Sequence, residues 1–298
     1  MTVLSAWVGV RARRFFSLLA LPALAVHGAA AGPIQPETVE TLPIAPITQV
    51  HGNTPWPEAS LSPGGQMLGL SDGRQVWLYR RDNRRRVAVT PPQAVRSAPF
   101  DPAALNALEG LAWSGDAVLY AWARMLGGSQ QAFAADRDGA LGPVLATPER
   151  WPHDDALPAE SYPIPDPDNA YEIRANAHHV VWRRNRGHGS MDLMAARADD
   201  PPRVLASGGW ELEDAVFDRP GSRVIFPTDS GLVVHALDTD TARTVAGTSA
   251  GDVPRAYDPA SRWLALLRPE GGCATDSPDA KAGGWRICLL RLPPDAAD

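Results

Sequence analysis

Lysine is almost absent from this chain of 298 residues: Lys281 is the only lysine among 28 basic residues, and arginine supplies the rest. Aspartate and glutamate are more numerous, 34 in total, so the formal net charge is −6. Nucleic acids and anionic membrane surfaces carry the same sign of charge as this chain, which disfavours binding to either. The sequence therefore predicts neither kind of partner.

Long apolar runs are absent as well. The run at residues 15–26 has 12 residues, whereas a helix that crosses a bilayer needs about 20. Arginines precede this run at positions 11, 13 and 14, and small residues follow it at positions 28–31, which is the layout of a secretory signal peptide. We predict cleavage after Ala31 and export to the periplasm or beyond the cell. Arg13 and Arg14 leave the twin-arginine route open beside general secretion.

Removal of residues 1–31 would leave 25 basic against 34 acidic residues, a net charge of −9. Only two cysteines remain in that part, Cys273 and Cys288, 15 positions apart. In an oxidising compartment such a pair predicts one disulfide, which would contribute about 3 kcal/mol by closing a loop of this length. A zinc site is the weaker alternative, because histidine ligands are absent from the sequence around them.

No motif of catalysis stands in the context that its chemistry needs. The letters Gly-x-Ser-x-Gly occur at residues 69–73 and 247–251, but a nucleophile elbow needs a strand followed by a helix, and the pattern predicts strands on both sides of each. Gly-His-Gly-Ser at residues 187–190 has the wrong spacing and predicts a hairpin loop instead. The histidines His178, His179 and His188 could be metal ligands, but neighbours on a strand point to opposite faces. We therefore predict no metal site, no cofactor and no enzyme activity.

A repeat lies under loops of unequal length, and such a repeat indicates a modular architecture. Five passages follow the same order of short stretches that alternate apolar and polar residues, the period of a β-strand. Asp, Asn and Gly occupy the turns between them. The predicted strands are 59–62, 67–71, 75–79 and 86–90; 111–114, 118–122, 131–135 and 143–147; 179–182, 192–196 and 203–207; 215–218, 223–228, 232–237 and 243–247; and 255–258, 262–267 and 286–290.

The fifth passage ends at Pro293 and Pro294 before a fourth strand. Residues 44–50 form an apolar, β-branched stretch that precedes the first unit and belongs to none. Because a sheet of this kind needs an outer strand and a ring of sheets needs closure, we predict that residues 44–50 pair with residues 286–290.

The opening of the first unit, Leu-Ser-Pro-Gly-Gly at residues 61–65, resembles the Ser-Pro-Asp-Gly turn of TolB-like and related WD-type β-propeller repeats. The resemblance covers nearly all of residues 32–298, although position 64 is Gly rather than Asp and the third unit shows no such turn. It implies an all-β fold, a single β-propeller of four-stranded blades, with five blades predicted and six as the alternative. It also implies a non-enzymatic module that binds a protein or peptide of the cell envelope.

Residues 148–169 have no strand pattern and contain six prolines and many acids, and loops of this length are often functional or disordered. One reading is a solvated loop or one that contacts a partner. Carboxylates near aromatic rings are typical of glycosidases, so the alternative function is a propeller that binds or cleaves carbohydrate. A secreted assembly or virulence accessory is a third reading. The candidate binding residues of the loop are Trp151, His153, Asp154, Asp155 and Tyr162.

Five arginines cluster around the outer hairpin of the first unit: Arg80, Arg81, Arg84, Arg85 and Arg86. They could bind an anionic partner, such as a phosphate-bearing glycolipid, or form a solvated edge that discourages sheet-to-sheet association. Four tryptophans at strand positions are predicted to pack between blades, namely Trp77, Trp113, Trp182 and Trp263. For the loop residues Trp56, Trp151 and Trp210, both packing and sugar binding remain open.

Overall fold

Strands account for nearly all of the regular structure in the computed structural model. It describes residues 32–42, 47, 57–72, 75–89, 105–114, 118–125, 130–145, 164, 169–197, 200–209, 212, 215–218, 220–269, 273 and 284–294. All of them belong to the unit Ala31–Asp298. Within these ranges, no helix has the length and apolar character needed to cross a bilayer.

The described residues form twenty β-strands. Up to residue 145 they are β1 (Thr38–Thr41), β2 (Glu58–Leu61), β3 (Met67–Ser71), β4 (Val76–Arg80), β5 (Arg85–Val89), β6 (Leu105–Ser114), β7 (Val118–Met125), β8 (Gln130–Asp136) and β9 (Leu141–Leu145). From residue 170 they are β10 (Ala170–Ala175), β11 (His179–Gly187), β12 (Ser190–Arg197), β13 (Arg203–Gly208), β14 (Val216–Asp218), β15 (Arg223–Thr228), β16 (Gly231–Ala236), β17 (Thr241–Thr244), β18 (Val253–Asp258), β19 (Trp263–Arg268) and β20 (Arg286–Arg291).

In the described part of the chain these strands pair into five antiparallel sheets of four strands each. Sheets 1 to 4 contain β2–β5, β6–β9, β10–β13 and β14–β17 in sequential order, and sheet 5 has the order β1-β20-β19-β18. Successive four-stranded antiparallel sheets are the blades of a β-propeller. The predicted all-β propeller fold is therefore confirmed, whereas the number of blades in the whole chain stays a prediction.

The predicted strand positions agree closely with the observed ones, and residues 67–71 and 223–228 are matched to the residue by β3 and β15. The main differences are at the starts of sheets 2 and 3. Strand β6 begins at Leu105, six residues before the predicted position, and β10 supplies a strand where the pattern predicts none. Both strands begin just after long connecting segments, where alternation gives a weak boundary signal.

Burial explains why the middle strands are nearly continuous in apolar residues and the outer ones are not. All residues of β3 and β19 are buried, because a neighbouring sheet covers each face. By contrast, the outermost strands β1 and β17 have only exposed and half-buried positions and consist largely of threonine and charged residues. The polarity of a strand therefore reports its place within the sheet.

A polar residue caps the turn between the first two strands of four sheets, and these caps are Ser62, Asn176, Asp218 and Asp258. Each side chain accepts a backbone N–H from the following turn, donated by Met67, His179, Gly221 and Ser261, respectively. The third unit lacks the Ser-Pro-Asp-Gly motif as expected, and a turn capped by Asn176 takes its place. Asparagine can replace aspartate or serine there, since its amide oxygen accepts the same bonds.

The strand that completes sheet 5 is β1, not residues 44–50 as predicted. Thr38 to Thr41 pair in antiparallel register with Arg291 to Cys288. Ile47 forms an isolated antiparallel bridge with Trp285, and the rest of residues 44–50 lies outside the described residues. The prediction chose residues 44–50 because they are apolar and β-branched. An outermost strand is solvated along its free edge and tolerates polar residues, so this criterion does not identify it.

The segment before β1 also binds sheet 4. Ile34 bridges Val245 in parallel register, and its N–H donates to the carbonyl of Thr244 at 2.8 Å. Its side chain is 0% exposed in a core formed by sheets 4 and 5. We refer to residues 32–42 as the N-terminal strap, because they join the two sheets.

Sheets 1 and 5 share a large apolar interface with an ion pair beside it. Leu61, Leu68 and Tyr79 of sheet 1 lie in one buried cluster with Trp263 and Leu289 of sheet 5. Arg255 in β18 forms an ion pair with Glu58 in β2, the innermost strands of the two sheets. Sheet 5, which contains both ends of the described chain, is therefore packed directly against sheet 1.

Two of the tryptophans lie between sheets as predicted. Trp263 packs in the cluster shared by sheets 5 and 1, and Trp113 of sheet 2 donates its indole N–H to the carbonyl of Ser60 in sheet 1 at 2.9 Å. Trp77 contacts the same shared cluster, and Trp182 is buried against Met194 of its own sheet. The placements of Trp56, Trp151 and Trp210 lie outside the described residues.

The predicted disulfide between Cys273 and Cys288 is present, with 5.4 Å between their Cα atoms. It ties the segment after β19 to the middle of β20. Beside it, Arg268 binds the buried Asp252 carboxylate at 2.6 and 2.8 Å and donates to the carbonyl of Cys273. The disulfide and the ion pair therefore fix the same end of sheet 5.

Because Ile34 fills a site between two sheets, we expect Ile34→Ala to lower the free energy of unfolding by about 2 to 5 kcal/mol, as for other buried isoleucines. Val39→Ala is the matched control, because Val39 on the same strap is 42% exposed. Urea denaturation measures the free energy of unfolding of the two variants. Equal values for both would contradict the conclusion that the N-terminal strap joins sheets 4 and 5 through Ile34.

Candidate functional site

The predicted loop residues cannot be placed in the fold. Trp151, His153, Asp154, Asp155 and Tyr162 lie outside the described residues. The chain order shows only that residues 148–169 fall between β9 of sheet 2 and β10 of sheet 3. The carbohydrate alternative that rests on these residues stays a prediction.

The predicted basic cluster separates into two parts with different surroundings. Arg81 is turned inward and its side chain is 13% exposed. Its guanidinium lies 3.8 Å from the ring centroid of Trp263, pairs with Glu40 of β1 at 2.9 Å and donates to the carbonyl of Gly65 at 2.9 Å. Arg81 therefore connects sheet 1 to sheet 5 and is not available to a partner.

Arg80 is also engaged within the protein. It binds Asp82 at 2.9 Å, and the hydrogen bond from Arg80 lowers the pKa of the Asp82 carboxyl. The remaining three, Arg84, Arg85 and Arg86, are exposed. In the part of the chain that the structure describes, none of these three forms an ion pair.

The turn between β4 and β5 fixes the backbone under these three arginines. The Asn83 side chain accepts the N–H of Arg85 at 3.0 Å, and Arg84 takes the left-handed conformation with φ of 53°. The Arg86 guanidinium lies 5.6 Å from the ring centroid of Trp77, within reach of a cation–π interaction. These contacts give the turn between β4 and β5 a defined backbone conformation.

The neighbouring turn between β8 and β9 adds a fourth arginine to this surface. A Cβ atom at Gly139 would lie 2.7 Å from Cγ1 of Val87 in β5, so the two hairpins are in direct contact. Arg137, exposed on that turn, acts electrostatically on Asp82 of the first hairpin. We define the basic surface as Arg84, Arg85, Arg86 and Arg137. It runs around β5, the outermost strand of sheet 1: Arg85 is on the face of Val87, towards the second hairpin, whereas Arg86 pairs with Tyr79 and is on the opposite face, towards Trp77.

Sequence reasoning overlooked Arg137, although a signal for it existed. Its turn occupies the same slot in the second repeat that the turn at residues 81–84 occupies in the first. Equivalent turns of adjacent blades lie at the same edge of a propeller. An alignment of the repeats would therefore have placed Arg137 near Arg84.

Four buried aspartates, by contrast, are all engaged within the fold: Asp192, Asp218, Asp252 and Asp258. Asp192 binds Arg184 at 2.5 Å and accepts from the Ser207 hydroxyl at 2.6 Å. Burial opposes the charge of Asp192, but these hydrogen bonds outweigh it, and its pKa lies below the ordinary value. The buried carboxylates therefore stabilise the sheets and turns.

Asp218 differs from Asp192 in that its pKa lies above the ordinary value. Its Oδ1 accepts the Gly221 N–H at 3.2 Å, and its nearest cation, Nε of Arg223, is 3.6 Å from Oδ2. Burial raises the pKa of Asp218, and the charge of Asp258 on the adjacent sheet adds to this rise. Perturbed carboxyls often mark functional sites, but this one also caps a turn, which explains its position.

A polar cluster that contains two histidines lies between sheets 3 and 4. His179 of β11 is 2% exposed, and its Nε2 lies 3.7 Å from Oδ1 of Asp238 in the turn after β16. His235 of β16 lies 3.0 Å from Oδ1 of Asp240, which Arg203 of sheet 3 also binds at 2.5 Å. Among the described residues, no group of three or more histidine, cysteine or acidic side chains is arranged to hold a metal ion.

A cavity between sheets 3 and 4 is too small for an organic ligand. Its volume is about 30 Å³, and its walls include Leu193, Phe217 and Val224. This space is enough for about one water molecule, whereas small-molecule sites span several hundred Å³. The cavity is a packing feature of the interface.

Comparison with known proteins identifies no family model and no curated protein that matches this chain. Solved structures with a similar fold include TolB from Acinetobacter baumannii, at 14% identity and a TM-score of 0.33 over 80% of this chain and 55% of that one. The calcium-binding protein regucalcin from Agrobacterium tumefaciens is 9% identical, with a TM-score of 0.40 over 88% of this chain and 96% of that one. An α-L-arabinofuranosidase from Podospora anserina is 8% identical, with a TM-score of 0.36 over 88% of this chain and 97% of that one.

The chain thus spans about 55% of the length of that TolB chain. These proteins differ in what their names say they do, and the similarity to each is low. The propeller fold follows from the strand pairing of this chain itself, and the comparisons add no argument about its activity.

We expect Arg81→Gln to lower the free energy of unfolding by about 1 to 3 kcal/mol, because it removes an ion pair, a hydrogen bond and a cation–π contact between two sheets. Arg84→Gln, three positions away, should change stability by less than about 0.5 kcal/mol, since Arg84 is exposed. Chemical denaturation compares the two. A destabilised Arg84→Gln variant beside an unchanged Arg81→Gln variant would refute the division of roles.

Stability should fall as the pH drops below about 6.5. Burial lowers the pKa of His179 and His235 in the folded protein, although Asp238 and Asp240 act in the opposite direction. The unfolded chain then binds more protons than the folded one below the ordinary histidine pKa of 6.5, so acid favours unfolding.

Melting temperatures measured above and below that pH test this expectation. The double variant His179→Gln and His235→Gln should lose less stability on acidification than the parent. His178→Gln, at an exposed neighbouring position, is the control and should behave like the parent. Identical acid sensitivity in all three proteins would show that other groups cause the effect.

Proposed function

We propose that this protein is an exported β-propeller that binds a protein or peptide partner in the periplasm or outside the cell and catalyses no reaction. The observation that carries the proposal is the division of charged side chains. The described buried aspartates and Arg81 hold sheets and turns together, whereas Arg84, Arg85 and Arg86 are exposed and preorganised at a turn.

Export is supported by the position of the N-terminal strap relative to the predicted signal peptide. The carbonyl of Gly32 accepts a hydrogen bond from Arg243 at 3.1 Å, and Ile34 is buried. Cleavage after Ala31 would therefore leave every residue of the strap in the mature chain. The disulfide between Cys273 and Cys288 also suits an oxidising compartment.

The role in binding agrees with the chemistry of the described charged groups. Glycosidases need two carboxylates that face a substrate across several ångströms. Asp192, Asp252 and Asp258 instead receive hydrogen bonds from their own sheets and turns, from Arg184, Arg268 and Ser261. A folded surface that presents arginine to solvent is suited to recognition.

Export and partner capture test this proposal together. We expect the purified native protein to begin at Gly32 by mass spectrometry, and a tagged protein to enrich an envelope protein after cross-linking. That protein, once purified, should bind saturably in a one-to-one complex by calorimetry. The unfolded and reduced chain is the control and should capture nothing.

A carbohydrate function gives a different outcome. Turnover of a glycan that disappears in Asp154→Asn or Asp155→Asn would contradict the proposal and support the carbohydrate alternative. An unprocessed amino terminus in the native protein would contradict the export part alone.

A further inference from the structure

We propose that the basic surface binds an extended acidic segment of a partner protein through its carboxylates. This inference rests on the proposed function and adds the place of contact and the chemistry of the partner. Its basis is that two sheets bring four exposed arginines, Arg84, Arg85, Arg86 and Arg137, onto adjoining hairpins.

The contact between the hairpins places the turn of Arg137 beside β5. Gly139 has φ of 85°, and a Cβ there would lie 3.5 Å from the carbonyl of Ala88 as well as against Val87. Asp136 caps the same turn by accepting the N–H groups of Asp138 and Ala140, both at 2.9 Å. The turn that carries Arg137 therefore packs closely against β5, and hydrogen bonds within the turn define its backbone.

Two of the acids around this surface are engaged by other arginines. Asp82 binds Arg80 and also accepts the N–H of Asn83 at 2.7 Å, and Glu40 binds Arg81. Asp136 and Asp138 are exposed on the turn of Arg137. Within the described residues, no carboxylate forms an ion pair with Arg84, Arg85 or Arg86.

Arginine is well suited to the proposed ligand. Its planar guanidinium donates two parallel hydrogen bonds to one carboxylate, which gives both strength and orientation. The defined turn at Asn83 and Arg84 reduces the entropy lost when a ligand binds. Arg86, which lies over Trp77, has one face of its guanidinium already covered.

A membrane is a poorer fit than a peptide. The chain carries a net charge of −6, so contact with a wide anionic surface would also bring its acidic residues close to like charges. An extended peptide needs only local complementarity, because opposite charges within a Debye length of about 10 Å dominate its binding. The charge of the whole chain therefore favours a short acidic segment.

Fluorescence anisotropy of a labelled peptide of alternating glutamate and serine, with the whole protein at low ionic strength, tests the inference. We expect saturable binding that weakens as salt is added. The triple variant Arg84→Gln, Arg85→Gln and Arg86→Gln should weaken binding about tenfold, and Arg137→Gln about twofold, as for exposed ion pairs. The same peptide with glutamine in place of glutamate should not bind.

Arg186→Gln is the matched control, because Arg186 is exposed beside the turn between β11 and β12 of sheet 3, at the opposite end of the strands from the turns that carry the basic surface. It should bind the peptide as the parent does, and the melting temperatures of all variants should agree. Undiminished binding by the triple variant would overturn the inference, as would binding to phosphatidylglycerol vesicles without binding to the peptide. If the captured envelope protein binds the triple variant normally, the inference fails while the proposed function stands.

Discussion

The pairing of β1 with β20 is the interaction on which the rest of the structure depends. It places the first described strand of the chain in the same sheet as the last. The N-terminal strap also binds sheet 4 through the backbone of Ile34. The Glu37 carboxylate of the strap accepts hydrogen bonds from the two terminal nitrogens of Arg262 at 2.8 and 3.2 Å. Without this pairing, β20 would present an open edge and the core around Ile34 would be exposed to water.

The boundary between sheets 1 and 5 shows how one side chain can transmit this pairing further. Glu40 belongs to β1, and its partner Arg81 lies in the turn between β4 and β5 of sheet 1. The same guanidinium covers Trp263, so an apolar interface and an ion pair protect each other from solvent. Arginine is suited to this position, because it can stack on a ring and donate hydrogen bonds in its plane at the same time.

This use of arginine separates the interior of the protein from its surface. Ion pairs such as Arg268 with Asp252 and Arg184 with Asp192 satisfy buried carboxylates that would otherwise be costly. Exposed arginines outside such pairs lie at the hairpins of sheets 1 and 2 in the described part of a chain that is acidic as a whole. A local region of positive charge on such a protein attracts anionic groups of limited size, which is a basis for selective recognition.

The sequence by itself determined most of the strands and turns, the disulfide and the all-β propeller fold. These features depend on local period, on turn-forming residues and on a cysteine pair close in sequence, all of which a linear pattern records. Only the tertiary structure decided which segment completes sheet 5, because Thr38 to Thr41 look like an ordinary polar stretch until β20 is beside them. It also decided that Arg81 is structural while Arg84 is exposed. Neighbouring residues carry the same charge in the sequence, but the sheet on which each side chain packs sets its surroundings and therefore its role.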